Sequence, residues 1–171
     1  SNVSAIRAEI LQYEDDSGAR PIRSVIPLEN VLDVTDFNGL PPHSICVIID
    51  DGTPPEADDD AIAQRIFDAK AGGIQTFGSE SGTAVDSLGR SYTFNFERPT
   101  DIAFTIALDI DTGDGYPGDA ALKQSLVEYA TSIQQPGTWI LWSLYVARAL
   151  SVPGVTRVDN ISINGFVNQD V

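Results

Sequence analysis

The chain has 171 residues, 42% of them hydrophobic and 20% charged, which supplies enough apolar material for one domain or two small lobes. A formal net charge of −15 speaks against nucleic acid and against an anionic membrane as partners, since both call for a cationic surface. The single cysteine, Cys46, rules out an internal disulfide and a cysteine-based zinc site, and no apolar run reaches the roughly 18 residues of a membrane span.

No secretory leader pattern opens the sequence, and there is no methionine, so a fragment or trimmed product is expected, with Ser1-Asn2 as a tag scar. Residues 3–11 mix apolar and polar positions and read as extended. Asp15-Asp16-Ser17-Gly18 is turn chemistry, which predicts a hairpin to residues 21–28. Residues 29–43 carry Asn38-Gly39 and Pro41-Pro42 and read as an ordered loop. Ile45-Cys46-Val47-Ile48-Ile49 is a short, branched, apolar run, the pattern of a buried strand. Residues 50–60 are acidic and contain two prolines, predicting a solvated loop that ends in a helix start capped by Asp58 or Asp59. Ile62, Ala63, Ile66 and Phe67 recur at helical spacing, and Gly72-Gly73 is the expected stop.

Residues 83–86 and 91–96 flank Asp86-Ser87-Leu88-Gly89-Arg90 as a hairpin, with Tyr92, Phe94 and Phe96 on one face. Alternation resumes over residues 101–110, where Ile102, Phe104, Ile106, Leu108 and Ile110 point one way. A helix is expected from Asp119 to about Gln134, with Leu122, Leu126, Tyr129 and Ile133 on one stripe. A very apolar segment follows, and Val155, Val158, Ile161 and Ile163 suggest a final strand or pair. The order predicts an α+β fold with mainly antiparallel sheets and three helices. Arg98-Pro99 is the candidate border between a β-rich lobe with one helix (residues 1–97) and an α+β lobe (residues 98–171).

Few motifs carry chemistry. Gly113-Asp114-Gly115-Tyr116-Pro117-Gly118 fits the glycine pattern of a dinucleotide loop after a strand and before a helix. Asp109, Asp111, Asp114 and Asp119 would repel a pyrophosphate, however, and Pro117 removes an amide where donors are needed. The same acids are hard oxygen ligands suited to calcium, but the glycine is out of phase and no glutamate closes the loop. Gly78-Ser79-Glu80-Ser81-Gly82 has glutamate where a nucleophile elbow needs serine. His43 is the only histidine, and nothing marks a partner serine for it. Cys46 reads as a small core hydrophobe.

Residues 138–150 are apolar beyond one helical stripe. Trp139, Trp142 and Val146 fall on one side, and Leu141, Leu144 and Tyr145 extend around it. The segment is therefore either central in the core or an interface, and Trp139, Trp142 and Tyr145 are the candidate interface residues.

Several segments together resemble the baseplate J-like family. They are Pro27-Leu28-Glu29-Asn30-Val31-Leu32-Asp33-Val34-Thr35-Asp36, Gly39-Leu40-Pro41-Pro42-His43-Ser44-Ile45, Ala61-Ile62-Ala63-Gln64-Arg65-Ile66-Phe67 with Gly72-Gly73-Ile74 and Phe77-Gly78, Val85-Asp86-Ser87-Leu88-Gly89, Phe96-Glu97-Arg98-Pro99-Thr100 and Gly115-Tyr116-Pro117. The similarity spans roughly residues 25–165 in the family's order, and the acidic loop at 50–60 departs from it. The resemblance implies a structural role in the contractile tail of a phage, a prophage or a related injection machine. Its partners would be other baseplate proteins and copies of itself, with no catalytic residues, no cofactor and no small-molecule substrate. The implied location is the virion tail baseplate, with the bacterial cytoplasm as the place of assembly. His43 and Arg98-Pro99 match family positions and are expected to serve loop architecture.

Overall fold

The computed structural model describes residues 2–52, 54–133 and 136–171. The chain divides after Thr100 into two compact units, each built round its own core. Arg98 and Pro99 belong to the first unit. The fold is α+β with mostly antiparallel strands, and the described residues form four helices rather than three.

The additional helix is α1 (Asn2–Leu11), where extended chain was expected. Its apolar positions explain the difference. Ile6 and Ile10 stand four apart and are both fully buried, with Tyr13 following one turn on, so the burial has a helical period. Consequently Asp15 and Gly18 do not close a hairpin. They join α1 to strand β1 (Ser24–Asn30).

β1 pairs antiparallel with β2 (Ser44–Asp50), from Ser24 opposite Asp50 to Asn30 opposite Ser44. Helix α2 (Asp59–Ala69) starts on Asp58, whose carboxylate accepts from the Ala61 amide, and buries Ile62, Ala63 and Ile66. Its end departs from expectation. Lys70 is the cap, in extended conformation, and its amide donates to the Ile66 carbonyl, so the helix stops before Gly72 and Gly73 are reached. The short β3 (Gln75–Phe77) then runs parallel to the start of β2. A hairpin of β4 (Glu80–Val85) and β5 (Ser91–Phe96) follows in the expected place. Beyond β5, Glu97 bridges to the second half of β2, exchanging backbone bonds of 2.9 Å with Val47 and Ile49. The chain thus returns to β2 just before the border.

One turn occurs three times in this unit, at residues 15–19, 36–40 and 86–90. Each reads Asp-x-x-Gly-x. In each, the aspartate amide donates to the fifth carbonyl, and the aspartate carboxylate accepts from the third and fifth amides. The glycine lies at φ +82, +78 and +78, a conformation that costs other residues because of their Cβ.

In the second unit, β6 (Ile106–Thr112), β7 (Val155–Ile163) and β8 (Phe166–Val167) form an antiparallel sheet in that order. The alternation read from residue 101 becomes a strand only at Ile106, and Ile102 is largely exposed. Helix α3 (Asp119–Ile133) buries Leu122 and Leu126. Its expected end at Gln134 lies outside the described residues. Helix α4 (Trp142–Leu150) buries Tyr145 and Ala149.

Candidate interaction surfaces

The Gly113–Gly118 loop joins β6 to α3 as an occupied turn rather than an open cradle. The Gly113 amide donates to the Gly154 carbonyl at 2.7 Å, and the Tyr116 hydroxyl donates to Asp119 at 2.7 Å. The nearby acids also have partners. Arg157 lies 2.8 Å from Asp111 and 2.9 Å from Asp159, and the Asn160 amide donates to Asp109. Among the described residues no group of three or more His, Cys, Asp or Glu is placed to hold a metal ion.

His43 sits at φ +52 and pairs with Asp33 across 2.8 Å, both side chains well exposed. The adjacent Ser44 hydroxyl donates instead to the Pro41 carbonyl. Cys46 is buried in β2. Burial, helped by the charge of Glu97, pushes its thiol up to about 11, so little of the nucleophilic thiolate forms near neutrality. In the Gly78–Gly82 segment, the Ser79 hydroxyl donates to Glu97 and Glu80 lies 3.9 Å from Arg98.

The acidic stretch at 50–60 is not simply solvated. Asp51 is 1% exposed and accepts from Arg98 through both oxygens, at 3.0 and 3.2 Å. Arg98 also donates to Asp59 at 2.7 Å, and its guanidinium lies over the Phe96 ring. Burial pulls the guanidinium pKa down, but the bonds to Asp51 and Asp59 more than offset this and hold it above its ordinary value. Beside this joint lies an open polar cleft of about 590 Å³ lined by Asp58, Asp60, Glu80, Ser81 and Arg98. Its carboxylates are employed locally: Asp58 caps α2, and Asp60 accepts from the Thr83 amide at 2.7 Å. The cleft is the seam where α2 is fastened to β4 and β5. The sequence does not announce this joint, since Asp51 and Arg98 are 47 residues apart.

The aromatic segment separates into surface and core. Tyr145 is 0% exposed, with the rings of Phe104 and Tyr129 edge-on at 6.0 and 5.7 Å. Trp142 is half-buried against the same core, and its amide donates to Asp170. Trp139 precedes the helix and is 73% exposed. Leu141, Leu144 and Leu150 are exposed as well. The helical spacing accounts for the split, because Tyr145 and Ala149 share the inward face of α4 while Leu144, Ala147 and Leu150 share the outward one. The surface is therefore Trp139, Leu141, Leu144 and Leu150, with Tyr145 withdrawn from it.

Comparison of the sequence with protein-family models and with curated proteins finds no match.

A second apolar surface lies in the first unit and was not singled out from the sequence. Val31, Leu32, Val34 and Phe37 are all exposed in the loop between β1 and β2. Four apolar residues within seven positions of a turn-rich stretch were the available signal.

Proposed function

We propose that the chain is a structural component of a phage-type contractile-tail baseplate and works by binding neighbouring proteins and copies of itself. The resemblance of residues 25–165 supplies the kind of machine. The observation that carries the contact is the outward face of α4 with Trp139 beside it. Isolated exposed leucines are ordinary, but a tryptophan and three leucines within twelve residues are the composition of an interface centre. Tryptophan buries a large area with few rotors to freeze, which favours it as an anchor.

The test is pairwise co-purification of the protein with the products of the genes beside its own, using Trp139→Asp and Leu144→Asp. Either substitution is expected to abolish a contact that the wild type makes, while the circular dichroism spectrum is retained. Tyr145→Asp is the control and is expected to unfold the second unit, because it places a charge in a closed apolar site. Contacts that survive both surface substitutions would remove this face as the interface. Failure of every tail protein to bind the wild type would remove the baseplate reading.

A further inference from the structure

The 31–40 loop is built to hold its shape. Asn30 is 3% exposed, and its side-chain amide donates to the carbonyls of Val34, Leu40 and Pro41 at 2.8, 2.8 and 3.0 Å. Its side-chain oxygen accepts from the Leu32 amide at 2.9 Å. Asp36 closes the far end by accepting from the Asn38 and Leu40 amides, and Leu40 is buried beneath it. His43 ties back to Asp33. A loop fixed at this many points is preorganised, so a partner would not have to order it.

What the loop displays runs against that order. The second position of the recurring Asp-x-x-Gly-x turn is exposed in all three copies. Two copies place Asp16 and Ser87 there, as solvent demands, and the third places Phe37, which is 96% exposed. Val31, Leu32 and Val34 are exposed just before it. The charge next to it has one sign. From Ser24 to His43, through β1 and the loop, the chain contains three carboxylates, Glu29, Asp33 and Asp36, and neither lysine nor arginine. Glu29 and Asp33 stay exposed beside the apolar residues.

We infer that this loop is an apolar plug with an anionic rim, and that its occupant is a pocket on a different protein, apolar within and edged by lysine or arginine. The same loop of a second copy is the poorer occupant, because Glu29 and Asp33 would meet their own like charges. Charge of opposite sign round an apolar contact sets register and association rate and rejects like-charged partners. The inference does not rest on the tail reading, since the plug and its rim belong to the first unit alone.

The experiment is fluorescence anisotropy of two labelled amphipathic peptides of equal length, one of leucine and lysine and one of leucine and glutamate, titrated with the whole chain. The lysine peptide is expected to bind and to weaken as salt rises, and the glutamate peptide is expected not to bind. Phe37→Ser leaves the charge unchanged and is expected to weaken the lysine peptide by about tenfold or more. Leu32→Ser with Val34→Ser should do the same, and Trp139→Asp should leave this binding alone. Thermal midpoints show that the variants are folded. Equal binding of wild type and Phe37→Ser would mean charge attraction alone and overturn the plug. Equal binding of both peptides would overturn the cationic rim. Phe37-dependent dimerisation, or Phe37-dependent binding to phosphatidylcholine vesicles, would replace the proposed occupant by a second copy or by a lipid surface.

Discussion

Replacing Arg98 by methionine removes the guanidinium but keeps an unbranched apolar stem over Phe96. Asp51 would then lose both of its bonds to Arg98 and keep the Ala57 amide at 2.9 Å, while remaining almost wholly inside the protein. Asp59 keeps water, so the cost falls mainly on Asp51. Stranding one member of a buried pair costs about 3–5 kcal/mol, a large share of the roughly 5–15 kcal/mol that holds a domain together. Both tryptophans lie in the second unit, so urea unfolding of the first is followed by far-ultraviolet circular dichroism rather than by tryptophan fluorescence. Asp51→Asn added to Arg98→Met removes the stranded charge and is expected to recover about half of the loss. A cost below about 1 kcal/mol for Arg98→Met, or no recovery in the double variant, would show that Asp51 finds water and that the joint is not closed.

Phe67 is half-buried, with its ring stacked on Tyr92 at 5.6 Å and tilted against Phe94 at 5.8 Å. Phe67→Ala should therefore cost about 1–3 kcal/mol in urea titration rather than the 3–5 of full burial, and a larger loss would place the ring in the closed core. Acid should loosen two of the recurring turns, those at 15–19 and 86–90. Asp15 is held below the ordinary carboxyl value first by the Ser17 hydroxyl and then by the Ala19 amide, and Asp86 first by the Arg90 amide. A folded-state pKa below the unfolded one gives stability that is complete above the unfolded value of 3.8 and lost as pH falls toward the folded value. The stability difference between wild type and Asp86→Ala should accordingly shrink as pH falls from about 5 to about 2, and a constant difference would show that the carboxylate charge is irrelevant to the turn.

Local patterns made much of the fold legible. The branched run at 45–49, the Asp58 cap and the hairpin round Asp86-Ser87-Leu88-Gly89-Arg90 each carry their cause within a few residues, and each forms where it was expected. Helix α1 was misread because ten residues with two buried isoleucines satisfy a loose alternation as well as a helical stripe, and only packing against β1 and α2 decides between them. The Arg98 joint needed knowledge of which distant segments meet. The aromatic segment was half legible: its excess of apolar residues was visible, but which ring turns inward depends on where α4 begins, and it begins after Trp139.

The Asp-x-x-Gly-x turn satisfies its own amides with its own carboxylate, so it borrows nothing from the rest of the molecule. The side chain at its second position is therefore free of structural duty, whereas at the third the Ser17 hydroxyl helps hold Asp15. The second position holds Asp16, Phe37 and Ser87 on the same frame. Such a frame is a socket: one residue can be exchanged between copies, or written anew, without asking the core to change. Recognition at the 36–40 turn can then evolve at the speed of a surface while keeping the rigidity of an interior.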